Sequence, residues 1–287
     1  FYLHNLQGYQ TINKKYQLNG ATVLVDTHRM LSYWQNGMGD FAKRQPFTLN
    51  TTSGLGSLSK QFMANSILLL NAAGKLNIDA PLSDYLPEYR FAKQITLRQM
   101  LHMASGIPDY TELLLADYAK KIPDASESHL SYPILEDLNG NDALQQIIEL
   151  LNQHPLDFAP DEKGAYSNSN YYLLGHIITQ VANKPLSDFL NQHFFKPLAM
   201  TKTQLGTQHA DANSYDDLDF TDGKPVALGR GHYQGGDGAV VSSLADLAIW
   251  ARAVLQRRIL PESAWDEALT LTHDFYGMGW MKSRTQH

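Results

Sequence analysis

A mostly apolar run over residues 62–70, with glycines before and after it, constrains the fold of this chain more than any other feature. Gly74 follows the run and is suited to a helix C-cap, so the pattern predicts a helix over residues 57–73. The longest purely aliphatic stretch, Ile67 to Leu70, is far shorter than the ~20 residues that cross a bilayer. We therefore expect a globular protein without a transmembrane segment.

The start of this predicted helix carries a serine and a lysine in Ser-x-x-Lys spacing, Ser57 and Lys60. On a helix the two side chains are one turn apart on one face, which places an amine beside a hydroxyl. A serine hydroxyl is a poor nucleophile until a neighbouring base takes its proton, and a buried lysine can lose its own proton and act as that base. The spacing alone also fits an ordinary helix start, because two residues at fixed positions recur by chance.

A second pair of polar side chains stands at Tyr166 and Asn168. Residues two apart in an extended segment point the same way, so the hydroxyl and the amide are expected to face one pocket. There the tyrosine could shuttle a proton and the amide could hold a substrate amide. A surface turn beside a helix start is the alternative interpretation of the same residues.

Composition narrows the partners and the compartment. Of 287 residues, 43% are hydrophobic and 18% charged, as expected of a globular protein with a core. A net charge of −6 without a basic block argues against a nucleic-acid partner. Cysteine is absent, which excludes disulfides and thiolate metal sites, and the eleven histidines show no metal-binding spacing, so no cofactor is expected. A cysteine-free chain that begins at Phe1 favours an exported protein, periplasmic or secreted, whose signal peptide has been removed.

Local patterns place strands first and helices after them. Residues 21–26 and 30–34 predict an antiparallel hairpin. Helical periodicity follows over six stretches: 57–73, 95–103, 142–152, 171–182, 186–195 and 243–256. We expect a sheet region over 1–55 and 235–287 and a mostly helical region over 56–234. Since a lone hairpin is rarely stable, it needs further strands from the C-terminal end.

Other patterns are interpreted as structural. His102 and His176 lie in apolar helical contexts, where packing is the expected role. Asp217–Gly223 hints at a calcium loop, but its acids are out of register and no closing glutamate follows, so we expect a solvated acidic loop. The sequence has no Gly-x-Ser-x-Gly elbow, which argues against an ordinary α/β-hydrolase.

Several segments, taken in order, resemble one known family. Gly56–Phe62 resembles the family segment that carries the nucleophile, and Ile95–Tyr110 is similar to a distinctive family signature. Tyr166–Asn168 matches a second motif, and Tyr276–Trp280 fits a later segment. The chain is thereby identified as a member of the penicillin-recognising serine hydrolases, which include class C β-lactamases, D-alanyl-D-alanine peptidases and related esterases. The resemblance covers most of the chain.

This resemblance implies an α/β (α+β) fold of the β-lactamase/transpeptidase type, in which helices flank an antiparallel sheet and a mostly helical region is inserted. It implies that Ser57 is the nucleophile, Lys60 the group that activates it and Tyr166 the proton shuttle. Asn168 would bind the substrate's amide. The partner would be a small-molecule or peptide substrate, and the reaction would be hydrolysis of a β-lactam, a D-alanyl peptide or an ester through an acyl-enzyme. The motifs do not separate these substrates, and they leave the oligomeric state open.

One family element is not found in the sequence. In this family a His-x-Gly or Lys-Thr-Gly element normally follows the Gly-Trp pair, here Gly279 and Trp280. That element supplies a hydrogen-bond donor to the oxyanion of the tetrahedral intermediate. Losing such a donor typically costs ~10²–10³ in rate. His287 could be the first residue of this element, and we expect the rest of it and the missing sheet strands to follow. The alternative is a catalytically inactive member that acts as a binding or scaffolding protein.

Overall fold

The computed structural model describes residues 20–121, 142–216, 226–229, 233 and 235–282. Within these residues α-helices combine with small antiparallel sheets, so the predicted mixture of helix and antiparallel sheet is confirmed. The proposed acidic loop Asp217–Gly223 and the residue His287 lie outside the described part. The division into a sheet region and a helical region stays a prediction.

The helices lie where the apolar periodicity predicts them, with two additions. In chain order they are α1 Ser59–Ala72, α2 Leu97–Leu101, α3 Tyr110–Lys121, α4 Ala143–Asn152, α5 Asn168–Ala182, α6 Leu186–Leu190, α7 Leu244–Leu255 and α8 Glu262–Leu269. Each of the six predicted stretches corresponds to one of them, although α5 begins three residues before the predicted stretch 171–182. The pattern does not indicate α3 and α8. None of the helices in the described ranges has both the length and the hydrophobicity of a membrane span.

The end of α1 shows why Gly74 follows the apolar run. Gly74 has φ +65°, a left-handed conformation that glycine adopts without steric cost. Its N–H donates to Asn71 O, and the Lys75 N–H donates to Leu70 O, both at 2.9 Å. These two bonds satisfy carbonyls that the helix leaves open, and the predicted C-cap is confirmed.

The strands form small sheets, one of which places the start of α1. In chain order the strands are β1 Gly20–Val25, β2 Met30–Asn36, β3 Met38–Asp40, β4 Gln45–Pro46, β5 Thr52–Gly54, β6 Gln204–Leu205, β7 Ser214–Asp216, β8 Val226–Gly229 and β9 Val240–Ser243. β1 and β2 form the predicted antiparallel hairpin. In a three-stranded antiparallel sheet, β9 lies between β5 and β6, with Thr52 opposite Ser243. Because β5 ends at Gly54, this sheet fixes the chain just before Ser57.

The helix α1 runs through the core. Ten of its fourteen residues are buried, and it packs on α5. The Phe62 ring lies 4.5 Å from the Trp250 ring and 5.5 Å from the Phe195 ring, measured between centroids. Burying a phenylalanine side chain of this kind stabilises the fold by about 1.5–3 kcal/mol. Since α1 enters the core within one turn of its start, Lys60 is carried into the interior with it.

His102 and His176 have the packing roles predicted from their apolar surroundings. The Nδ1 atom of His102 lies 3.2 Å from Tyr276 O, in a buried position. The His176 ring packs 4.8 Å from the Tyr172 ring on the same helix, α5. Burial lowers the pKa of His176 to about 4 and also lowers that of His102.

These two histidines should make the protein less stable in mild acid. A histidine in an unfolded chain titrates near pH 6.5, so between about pH 6.5 and 4 the unfolded state binds more protons than the folded state. The stabilisation from the neutral rings is therefore complete above about pH 6.5 and is lost as the pH falls. For His176 the loss between pH 7.5 and pH 5 should be about 2 kcal/mol. Urea unfolding at pH 7.5 and pH 5 measures it.

A His176→Leu variant should lose less stability between those two pH values than the native protein does. His28→Gln is the control, because it removes one imidazole from an exposed position. An equal loss in His176→Leu and the native protein would contradict the assignment.

Candidate active site

Ser57 lies on a 3₁₀ turn, Gly56–Leu58, that leads directly into α1. The predicted helix is thus α-helical from Ser59 onward, and its first residues form the tighter turn that is common at helix N-termini. Gly56 has φ +52°, a conformation that favours glycine. The turn leaves Ser57 exposed, whereas Lys60, one turn later, is 0% exposed.

The Lys60 amine contacts three oxygen atoms. Its Nζ lies 3.1 Å from Ser57 Oγ, 2.8 Å from Asn168 Oδ1 and 2.8 Å from the backbone oxygen of Asp237. The expected proximity of the serine and the lysine is therefore present. It depends on the start of α1, the start of α5 and the residues that precede β9.

The hydrogen-bond partners of Lys60 restrict where its lone pair can point. Asn168 Oδ1 and Asp237 O carry no hydrogen, so each can only accept an N–H from the amine. A neutral amine has two hydrogens, and these two acceptors use both. Its lone pair then faces the Ser57 hydroxyl. In the ammonium form the third N–H takes that place and donates to Ser57 Oγ. The same geometry thus suits a lysine before and after it takes the serine proton.

Tyr166 approaches the serine from another side. Its hydroxyl lies 2.6 Å from Ser57 Oγ, and Lys60 Nζ lies 4.9 Å from the centre of its ring. The Tyr276 ring packs edge-on against the Tyr166 ring at 6.1 Å and restricts its position. The phenol, the serine hydroxyl and the amine therefore form a continuous hydrogen-bonded chain along which a proton can move.

Asn168 is the first residue of α5, and both the oxygen and the nitrogen of its side-chain amide form hydrogen bonds. The oxygen accepts from Lys60, while Nδ2 donates to Asp109 Oδ2 at 2.9 Å and approaches Thr111 Oγ1 at 3.3 Å. Tyr166 and Asn168 thus both contact the Ser57–Lys60 pair, as expected of residues that face one pocket. Binding of a substrate amide by Asn168 stays a prediction, and donation from Nδ2 to a substrate carbonyl would require one of the two Nδ2 contacts to give way.

The loop before α3 contributes a residue that the sequence analysis does not single out, Asp109. This carboxylate is 8% exposed and accepts from the N–H of Asn168 as well as from its amide. Gly106 allows the loop to reach this position, because it has φ +77° and a Cβ there would stand 2.1 Å from Phe158 O. The segment Ile95–Tyr110, which resembles a family signature, contains both Gly106 and Asp109 and could have drawn attention to them.

Asp237 is the second residue that the sequence analysis missed. Its backbone oxygen accepts from Lys60, and its buried carboxylate accepts from the hydroxyls of Tyr110, at 2.9 Å, and of Tyr233. Burial raises the pKa of the Asp237 carboxyl. These bonds hold the segment before β9 against α1, together with the Val240 N–H, which donates to Ser59 Oγ at 3.0 Å. Every residue has a backbone oxygen, so no sequence pattern could predict that the oxygen of Asp237 contacts Lys60.

Residues 20–121, 142–216, 226–229, 233 and 235–282 contain no group of three or more His, Asp or Glu side chains arranged to hold an ion. The polar groups at Ser57 are organised around a lysine instead.

Comparison with known proteins relates this chain to a family. The family model described as Beta-lactamase matches residues 7–287. A penicillin-binding protein of Bacillus subtilis is 27% identical over an alignment of 297 positions, gaps included, that covers 95% of this chain. The chain spans 61% of the length of that relative.

Solved structures share the fold. A penicillin binding protein from Bacillus halodurans superposes with a TM-score of 0.76 at 25% identity, over 94% of this chain and 81% of its own. A D-amino acid amidase from Ochrobactrum anthropi SV3, solved with D-phenylalanine, superposes with a TM-score of 0.68 at 24% identity, over 86% of this chain and 68% of its own. The second likeness shows the fold alone.

Proposed function

The chain belongs to the beta-lactamase family, and on that premise we propose that it is a serine acyl-hydrolase that works through an acyl-enzyme. Ser57 is the nucleophile, Lys60 the base that activates it, and Tyr166 the group that relays protons. Asn168 orients Lys60 and is the candidate ligand for a substrate amide. The proposed reaction needs no cofactor.

One observation carries the proposal. Lys60 is fully buried, and its two hydrogen-free acceptors at 2.8 Å leave the lone pair of a neutral amine directed at Ser57 Oγ, 3.1 Å away. A base within hydrogen-bond reach of an otherwise weak nucleophile is the arrangement that covalent catalysis requires. A serine and a lysine that served only to start a helix would not need this alignment.

These contacts support the following chemical steps. Ser57 Oγ attacks the carbonyl carbon of the substrate while its proton passes to Lys60 Nζ, and the carbonyl electron pair moves onto oxygen. When the tetrahedral intermediate collapses, the bond to the leaving group breaks. The leaving group takes the Tyr166 hydroxyl proton, which Lys60 replaces. Water then attacks the ester carbon of the acyl-enzyme, its proton returns through the same groups, and the acid leaves as Ser57 regains its hydrogen.

The substrate class is proposed from chemistry and from the relatives. A β-lactam, a D-alanyl peptide, a D-amino acid amide and an ester all pass through the same tetrahedral intermediate. The names of the relatives, which include a penicillin-binding protein, a β-lactamase and a D-amino acid amidase, support this range. Bacterial relatives of this kind also support the proposal that the protein is exported to the periplasm or the medium.

A substrate panel tests the proposal. The full chain is incubated with a fluorescent penicillin, a chromogenic cephalosporin, a p-nitrophenyl ester, a D-alanyl-D-alanine peptide and D-phenylalanine amide. Intact-protein mass spectrometry follows covalent adducts, and product assays follow turnover. We expect at least one compound to form a one-to-one acyl adduct. If none does at any pH at which the protein is folded, the binding or scaffolding alternative replaces the enzyme.

A further inference from the structure

We infer that Asp109 is a positioning residue that holds the Asn168 amide in the one orientation that serves Lys60, an inference that rests on the proposed function. Asp109 does not touch Ser57 or Lys60 in any described hydrogen bond, and it acts through Asn168. The inference adds a carboxylate to the catalytic arrangement and assigns it a role that can be measured.

The contacts of Asp109 occupy both of its oxygens. Oδ2 accepts from Asn168 twice, from the backbone N–H at 2.9 Å and from Nδ2 at 2.9 Å. Oδ1 accepts from Thr111 twice, from its N–H at 2.8 Å and from Oγ1 at 2.6 Å. The carboxylate is 8% exposed, so these bonds form largely out of water and are stronger than their surface equivalents.

Hydrogen bonding alone decides which way an asparagine amide faces. The oxygen and the nitrogen of the amide have nearly the same size, so turning the group over meets little steric resistance. A reversed Asn168 would set its oxygen against Asp109 Oδ2, acceptor to acceptor, and its NH₂ against the Lys60 amine. Because an ionised carboxylate only accepts, Asp109 excludes the reversed form.

The orientation matters to catalysis through the count of acceptors at Lys60. If the Asn168 amide is reversed, Lys60 keeps only one of its two acceptors that carry no hydrogen, Asp237 O. Only one N–H of a neutral amine is then committed, and its lone pair is free to turn away from Ser57. The second acceptor, which Asp109 secures, is therefore what directs the base at the nucleophile.

A simpler role for Asp109 is to clip the loop before α3 to the start of α5. Such a clip would support the fold whether or not Asn168 contacts Lys60. The two roles differ in one respect: a positioning residue has no effect on rate once Asn168 has lost its amide, whereas a clip keeps its effect. A double-mutant cycle separates them.

The experiment compares Asp109→Asn, Asn168→Ala and the double variant, using the compound from the panel that acylates the native protein best. An asparagine at position 109 cannot accept all four hydrogen bonds, because its NH₂ group must face the donors of either Thr111 or Asn168. We expect kcat for Asp109→Asn to fall about 10- to 100-fold, as for a misaligned catalytic group, with KM within about threefold. In the Asn168→Ala background the same change should lower kcat less than about twofold.

Two further variants keep the test decisive. Asp246→Asn is the matched control, since Asp246 Oδ2 also accepts from a backbone N–H, that of Lys202 at 2.7 Å, and from a threonine hydroxyl, that of Thr203 at 2.8 Å. It should lose a comparable amount of thermal stability but keep its kcat. Thr111→Val replaces Asp109→Asn in the cycle if the latter does not fold, with an expected drop in kcat of about fivefold.

Additive effects in the cycle, or a kcat for Asp109→Asn equal to that of the native protein, would overturn the inference. Both outcomes require a native protein that is acylated at Ser57. If the native protein forms no adduct, the proposed function has failed, and this result is distinct from a failure of the role of Asp109.

Discussion

Replacing Ser57 by alanine is expected to lower the rate of acylation by at least about 10³-fold, because no other atom can form the covalent bond. Ser57 Oγ is the point at which the Lys60 amine and the Tyr166 hydroxyl meet, at 3.1 and 2.6 Å. Since Ser57 is exposed on a short turn, the change should leave the melting temperature almost unaltered. The measurement is time-resolved labelling by a fluorescent penicillin or a p-nitrophenyl ester, with the adduct mapped by peptide mass spectrometry.

The same motif supplies a matched control in Ser59. This serine lies two residues further along, is buried, and accepts the Val240 N–H at 3.0 Å. A Ser59→Ala variant should be less stable, because that N–H loses its partner, but it should still be labelled at Ser57. Labelling that persists in Ser57→Ala at a native rate would show that another residue is the nucleophile.

The sequence was sufficient for six of the eight helices in the described residues and insufficient for most of the sheet. A helix such as α1 carries its own signals, an apolar run and a terminal Gly74, and both are local. Strands β5, β6 and β9 have three, two and four residues, too few to show an alternation of polar and apolar side chains. These strands form because distant segments pair with one another, as Thr52 does with Ser243. A pattern within one short stretch of sequence cannot indicate such a pairing.

The candidate site divides in the same way. Ser57, Lys60, Tyr166 and Asn168 were candidates because their residue types carry the chemistry and the spacing within each motif is short, and the resemblance to a known family connected the two motifs. Asp109 lies in the segment Ile95–Tyr110 but was not singled out, because an acidic residue in a loop after a proline ordinarily faces solvent, and only the packing of that loop on α5 buries it. The three oxygen atoms around the Lys60 amine are brought together by tertiary structure, so their effect on its lone pair appears only when the fold is known.

The last large effect expected is that of Lys60, and two substitutions separate its possible roles. Lys60→Met keeps an unbranched side chain but removes the amine, and we expect acylation to fall about 10²–10⁴-fold, the usual contribution of a positioned base. Lys60→Arg keeps the positive charge but cannot give up its proton. If Lys60 acts as a base, the arginine variant should be impaired as severely as the methionine variant. If the residue only supplies positive charge, the arginine variant should retain much of the rate.

Stability distinguishes a chemical defect from a folding defect in these variants. Removing the buried amine leaves Asn168 Oδ1 and Asp237 O without their donor, but it also removes the cost of taking the amine out of water, so the two contributions oppose each other. We therefore expect Lys60→Met to melt within a few degrees of the native protein. Lys75→Met, which changes an exposed lysine just beyond α1, is the control and should keep the native rate. A Lys60→Arg protein that is folded and acylated within about tenfold of the native rate would contradict the base role and, with it, the mechanism built on the direction of the lone pair.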